Sequence, residues 1–86
     1  MLEKVLAQLG NGYSIKVIDL EKVIYYKINE NYDLEISGLD NKKRKLEATI
    51  YVWQTKPSLQ IVETIENIHT VSRIADTVTS LCYKYR

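Results

Sequence analysis

The strongest constraint on the fold is a continuous apolar stripe in the last quarter of the sequence. Between residues 67 and 85, apolar side chains recur at intervals of three and four, at Ile68, Val71, Ile74, Ala75, Val78, Leu81, Cys82 and Tyr85. This spacing predicts an amphipathic helix with Asn67 as its N-cap and His69 on its polar face. Because such a helix needs an apolar surface to pack on, the upstream segments must supply one.

Four upstream segments have the composition and alternation of β-strands. They are rich in Ile, Val, Tyr and Thr, and they cover residues 13–18, 23–28, 32–37 and 46–55. In the last segment, alternation predicts an apolar row at Leu46, Ala48, Ile50 and Val52. Tyr51 and Trp53 then lie on the opposite face. The short connections, including a turn at residues 19–22, predict antiparallel pairing.

Residues 59–65 are open to two interpretations: a fifth strand, or a backward extension of the long helix. Their content of Ile, Val and Thr lowers helix propensity. On a helix, their apolar positions would also centre on a different side of the cylinder from those after residue 67. A break near Glu66 and Asn67 removes this conflict, so the pattern favours the strand.

A short amphipathic segment precedes the strands. Residues 1–9 place Leu2, Val5, Leu6 and Leu9 at helical spacing, and Gly10 can end that helix. The whole pattern predicts a single α+β domain spanning residues 1–86. We expect a two-layer fold, with an antiparallel sheet of four or five strands and both a short N-terminal helix and a long C-terminal helix packed on it.

Residue counts exclude several kinds of chemistry. The 86-residue chain has a formal charge of +1 with one cysteine and one histidine, so an intramolecular disulfide and a Cys/His zinc site are excluded. On one helix, His69 and Cys82 would lie about 20 Å apart, too far for a nucleophile–base pair. Asp33 and Glu35 alternate onto what we expect to be an exposed sheet face, a pattern that needs no catalytic role. We therefore predict a protein that is not an enzyme and has no cofactor or metal.

The same counts bear on location. No apolar run approaches the roughly 18 residues of a membrane span. Residues 1–9 are too short and too charged for a signal peptide. A lone cysteine suits a reducing compartment. We therefore expect a cytoplasmic protein without membrane contact, in the host-cell cytoplasm if the protein is viral.

The sheet is expected to carry an aromatic patch on the face opposite its apolar rows. Tyr51 and Trp53 belong to this patch, and alternation in the preceding hairpin adds Tyr25 and Lys27. Exposed patches of this kind usually contact another molecule. Three interpretations stay open: a homodimer interface, a platform that stacks nucleic-acid bases, or a surface covered by the chain itself, for instance by its N-terminal helix.

A basic run supplies the strongest local charge. Its members are candidate phosphate contacts at the tip of a hairpin: Lys42, Lys43, Arg44 and Lys45. The simpler interpretation is a solubilising tip that discourages pairing between sheet edges.

Taken together, the patterns favour a small, non-catalytic interaction module that binds another protein and forms a homodimer. Taken with Ile61 and Ile65, the apolar stripe is expected to exceed what one sheet face buries, and self-association would shelter the rest. The alternative is a nucleic-acid-binding protein that uses the sheet aromatics and the basic run at 42–45. The hypothesis extends to an adaptor or inhibitor from a virus or mobile element, where small proteins of this kind are common.

Overall fold

The computed structural model describes residues 1–40 and 45–86. Its elements in chain order are α1 (Leu2–Leu9), β1 (Ser14–Ile18), β2 (Glu21–Lys27), β3 (Tyr32–Ser37), β4 (Ala48–Gln54), β5 (Gln60–Ile68) and α2 (Val71–Lys84). This part of the chain confirms the predicted α+β arrangement, with five antiparallel strands in one sheet. Of the basic run, Lys42, Lys43 and Arg44 lie outside the described residues.

The strands form a meander in which each one pairs with its neighbour in sequence, in the order β1-β2-β3-β4-β5. Asp19 and Leu20 join β1 to β2 with φ angles of 51° and 67°, the positive values that tight two-residue hairpin turns require. The turn predicted at residues 19–22 is therefore too long. Glu21 already belongs to β2, where it pairs with Ile18.

The core lies between the sheet and the two helices. Ile24, Ile36 and Ile50 align in one row across the central strands, with Leu34 and Val52 paired beside them. The helices contribute to the same buried cluster Leu2, Val5, Ile74, Val78 and Leu81. Burial of each such side chain stabilises the fold by about 2 kcal/mol. The apolar rows predicted from alternation are thus the surface on which both helices pack.

Residues 59–65, for which the sequence allows either a strand or a helix extension, lie almost entirely in a strand. β5 runs from Gln60 to Ile68, so it extends beyond the predicted segment. Ile65 pairs with Ile50 and joins the edge of the core. The fifth strand favoured by the sequence is therefore present.

The predicted start of the long helix near residue 67 is wrong. Asn67 lies in β5 with a φ of 60°, and α2 begins after Thr70, whose side-chain oxygen accepts a hydrogen bond from the Arg73 amide at 3.0 Å. His69 therefore precedes the helix, with Nδ1 2.9 Å from the carbonyl oxygen of Leu46. The apolar stripe from Val71 onward is as predicted, but the strand ladder continues through Ile68.

Polar contacts tie the last turn of α2 to the sheet. Asn29 Nδ2 donates to the carbonyl oxygen of Tyr85 at 2.7 Å. Glu63 Oε1 accepts from Lys84 Nζ at 2.8 Å and from the Tyr85 hydroxyl at 2.6 Å. The hydrogen bond from Lys84 has the larger effect in lowering the pKa of Glu63, and the hydrogen bond from Tyr85 lowers it further. These contacts hold the C-terminal end of the helix against the rest of the domain.

Candidate functional site

The sheet face opposite the helices, here called the open face, carries the four residues predicted as a binding surface. The register places them in two adjacent rows across β2, β3 and β4: Tyr25, Glu35 and Tyr51 in one, and Lys27, Asp33 and Trp53 in the other. Lys27 is exposed and pairs with Glu30 at 3.3 Å, whereas the three aromatic side chains are half-buried. The structure brings the four residues together, and their role in binding stays a prediction.

The N-terminal helix does not cover these aromatics. Leu2 and Val5 of α1 belong to the buried cluster on the helical side of the sheet, so α1 packs on the opposite side from Trp53. What shields the open face is the shape of the sheet itself.

The open face is concave. Ile18 at the end of β1 and Ile61 near the start of β5 line one depression of about 280 Å³, although a flat sheet would hold these strands about 19 Å apart. Strand twist therefore raises two opposite corners of the sheet over the face. An adjoining depression of about 210 Å³ shares Ile18, Glu35 and Trp53 with the first and adds Leu59. We call the two depressions together the groove.

Glu35 lies in the groove between these corners. It is 8% exposed, and no other charged residue in the ranges 1–40 and 45–86 is buried. Its Oε1 accepts a hydrogen bond from Trp53 Nε1 at 3.1 Å, whereas its Oε2 has no partner among the described residues. Every fully enclosed side-chain polar atom in that part of the chain has a partner, so Oε2 must reach solvent through the groove.

All charged side chains of the described residues that line the groove are acidic. Burial raises the pKa of Glu35 above the ordinary glutamate value, and the hydrogen bond from Trp53 opposes this effect. The carboxylates of Glu21 and Asp19 then raise the same pKa further. No lysine or arginine of the described segments lines either depression, so no basic side chain in that part of the chain neutralises these carboxylates within the groove.

Sequence reasoning did not select Glu35 as a site residue. Alternation places it on the same face as Asp33, but the expectation that this face leaves it exposed is wrong. Val23 lies on the same face and is 1% exposed, although it is outside the main core cluster. The raised corners therefore shield the side chains at the bottom of the groove. The pattern that could have identified Glu35 is a carboxylate that pairs with an aromatic residue on each of the two neighbouring strands.

Tyr25 shows that an aromatic ring on the open face can hold a cation. Lys16 Nζ lies 3.6 Å from the centroid of the Tyr25 ring, within the range of a cation–π contact. Burial, followed by the hydrogen bond and charge of Asp33, raises the pKa of Tyr25 to about 12. Tyr25 is therefore a neutral aromatic surface at physiological pH.

The one described member of the basic run lies elsewhere. Lys45 is exposed and lines a separate depression of about 630 Å³ with His69 and Thr70, at the start of α2. It is not among the residues that line the groove. The structure therefore does not bring Lys45 to the aromatic face, and the candidate phosphate contacts at 42–44 fall on residues that it does not describe.

The other residues considered for chemistry have separate neighbours. Cys82 Sγ lies 3.9 Å from the hydroxyl of Tyr13, whereas His69 contacts the Leu46 carbonyl. Within residues 1–40 and 45–86, no group of three or more His, Cys, Asp or Glu side chains is placed to hold a metal ion. Neither described helix has the length and apolar character needed to cross a bilayer.

Comparison of the chain with family models, with curated proteins and with solved structures finds no match in any of the three.

Because ionised Glu35 is disfavoured in the folded state, the Glu35→Gln variant is expected to unfold at a higher temperature than wild type at pH 7. Glutamine keeps an acceptor for Trp53 Nε1 and removes the buried charge. A raised folded-state pKa gives stability that is present at low pH and is lost as the pH rises through that pKa. The advantage of the variant should therefore vanish below the ordinary glutamate pKa of 4.5. Melting curves by circular dichroism between pH 3.5 and pH 8 measure the difference, and equal curves at pH 7 would contradict it.

Proposed function

We propose that the chain is a small, non-catalytic protein that binds another protein through the open face of its sheet. The observation that supports this most directly is the uncovered groove. Ile18, Leu59 and Ile61 stay 37%, 70% and 45% exposed around Trp53, while the two helices cover the central strands on the other side of the sheet. Apolar and aromatic side chains gathered in one concave surface favour a protein contact.

The apolar border of the groove fits side chains of a partner protein. Its two adjoining depressions, about 280 and 210 Å³, are open to solvent. Both are bounded by exposed apolar residues, which a protein surface would bury on contact. An adaptor or an inhibitor is the kind of molecule that uses such a surface.

The charge of the groove weighs against nucleic acid as the occupant. Four carboxylates line the two depressions beside the aromatic rings: Asp19, Glu21, Asp33 and Glu35. Bases stacked on Trp53 would bring their phosphates close to these groups, whereas nucleic-acid sites place lysine and arginine there. We therefore keep nucleic-acid binding as the second candidate only because of the basic run at 42–45.

Self-association is part of the proposal, at a different surface. β1 is exposed along its whole length, including Ile15 and Val17, and it is the first strand of the sheet, paired on one side by β2. Antiparallel pairing of β1 with β1 of a second copy would continue the sheet and leave the groove free. We place the protein in a reducing compartment such as the cytoplasm, where its single cysteine, Cys82, stays a thiol.

Selection of binders from a random dodecapeptide library tests the proposal. We expect selected peptides to bind wild type and to bind the Leu59→Ser and Trp53→Ser variants at least about tenfold more weakly, because both remove apolar surface from the groove. Leu59 is 70% exposed, so its variant should fold normally even if the loss of Trp53 destabilises the sheet. Fluorescence anisotropy with labelled peptides gives the affinities.

The Tyr83→Ser variant is the matched control. Tyr83 is as exposed as Leu59, at 70%, but lies on α2, and its loss should leave peptide affinity unchanged. The proposal is wrong if the selected peptides bind both groove variants as tightly as wild type. It is also wrong if the library gives no binder while a labelled oligonucleotide binds with a steep dependence on salt. Solution mass at micromolar concentration reports separately on self-association.

A further inference from the structure

We infer that the groove binds the guanidinium group of an arginine side chain presented by the partner protein. Glu35 accepts its hydrogen bonds and Trp53 supplies the aromatic surface beside it. This inference rests on the proposed function, and it names the chemistry that the open face recognises.

The first argument is that only one oxygen of the Glu35 carboxylate has a hydrogen-bond partner among the described residues. Oε1 is held by the indole N–H at 3.1 Å, which fixes the orientation of the carboxylate, while Oε2 reaches solvent with no partner in the described part of the chain. A carboxylate has about four acceptor positions and receives an arginine through two parallel N–H donors. A buried charge that lacks a counter-ion is costly, so a cation from outside that pairs with Glu35 would offset this cost.

The second argument is charge complementarity. Asp19, Glu21 and Glu35 line the larger depression, and Asp33 joins Glu35 in the smaller one. Two described lysines on this face, Lys16 and Lys27, line neither depression: Lys16 lies over the Tyr25 ring, and Lys27 pairs with Glu30. The combined negative potential attracts a positively charged group and opposes an anionic one.

The third argument is the lining around the carboxylates. Trp53 borders both depressions, and tryptophan is the strongest aromatic partner of a cation. Ile18 and Ile61 form apolar walls, against which the methylene stem of a long basic side chain can pack. The groove thus offers contact to each part of such a side chain, both the charged head and the apolar stem.

Arginine fits these surroundings better than lysine does. A guanidinium is planar and weakly hydrated, so it loses less on leaving water than a compact ammonium group does. It can stack against the indole of Trp53 while its N–H donors stay directed at Glu35. The small volumes, about 280 and 210 Å³, suit one side chain at a time.

The test uses the single tryptophan of the chain, whose indole N–H gives one resolved signal in a ¹H–¹⁵N spectrum. Full-length protein is titrated with three pentapeptides, acetyl-Ala-Ala-X-Ala-Ala-amide, where X is arginine, lysine or citrulline. Citrulline has the shape of arginine without its charge. We expect the arginine peptide to shift the Trp53 signal in a saturable way, and the citrulline peptide to bind at least about tenfold more weakly.

Two variants separate a specific site from general attraction between opposite charges. Glu35→Gln should weaken binding of the arginine peptide at least about tenfold while keeping the acceptor for Trp53. Asp76→Asn makes the same change in net charge at an exposed position on α2, and it should leave the affinity unchanged. Leu59→Lys adds a competing ammonium at an exposed edge of the groove, so it should weaken binding of the arginine peptide without any change at Glu35.

The outcomes are distinct. Equal shifts from arginine and citrulline peptides, or unchanged binding by Glu35→Gln and Leu59→Lys, overturn the inference. Tighter binding of the lysine peptide overturns the assignment to arginine. If library-selected peptides depend on Trp53 and Leu59 but contain no basic residue, this inference fails while the proposed function stands. If the selected peptides bind independently of the groove, the proposed function fails first.

Discussion

The Ile50→Ala variant is expected to lose about 4 kcal/mol of its free energy of unfolding. Ile50 is fully buried near the middle of β4, in register with Ile36 on β3 and Ile65 on β5. Removing three carbon atoms forfeits their burial and leaves a cavity that surrounding strands cannot fill without breaking their ladders. Because small domains are stable by only about 5–15 kcal/mol, the change removes a large part of the margin. Urea denaturation followed by circular dichroism measures it.

Two further variants set the scale for this loss of stability. Ile50→Val removes one methyl group and should cost about 1 kcal/mol. Val17→Ala, on β1 where Val17 is 66% exposed, should change stability by less than about 0.5 kcal/mol. A loss for Ile50→Ala no larger than that for Val17→Ala would show that the core does not lie where the sheet meets the helices.

The Gly38→Ala variant is expected to lose about 3 kcal/mol. Gly38 follows β3 with a φ of +83°, in the region that L-residues avoid, and an added Cβ would run into the backbone carbonyl oxygen of Glu47. The Gly38 amide also donates to Glu21 Oε2 at 2.7 Å. Relief of the clash requires a shift of the backbone beside the β3–β4 ladder, which holds both Glu35 and Trp53. Urea titrations give the loss, and the chemical shift of the Trp53 indole reports any change in the groove.

Gly10→Ala is the matched control for this variant. Gly10 has a similar φ of +86°, but a Cβ there would meet nothing within 4 Å. Its substitution therefore adds backbone strain alone, about 1–2 kcal/mol. The difference between the two variants measures the contact with Glu47, and equal losses would contradict the proposed clash.

The fold was predictable because its main determinants are local. Alternation in residues 32–37 and 46–55 defined the central strands, and three- and four-residue spacing defined α2. The errors lie at boundaries. Thr70, not Asn67, caps the helix, because pairing of Ile68 with Ala48 extends β5 beyond the point where its composition changes. The end of β5 is therefore determined by Ala48, a pairing partner that lies far away in the sequence.

The site was only partly predictable. Alternation sufficed to place Tyr51 and Trp53 on one face, since it depends on nothing beyond the strand itself. The burial of Glu35 depends on how Ile18 and Ile61 approach from opposite edges of a twisted sheet, and no local pattern encodes that approach. Alternation therefore predicts the rows of side chains on the open face but not the depth of the groove between them.

The meander topology has a consequence for how the chain reaches its native state. Since every strand pairs with its immediate neighbour in sequence, the sheet can grow hairpin by hairpin, and each step closes only a short loop. The longest loop closure is the docking of α1 beside α2, which are separated by all five strands in the sequence. The entropic cost of loop closure is therefore largest for this one docking step, whereas the strand pairings that form the acidic groove each close a short loop.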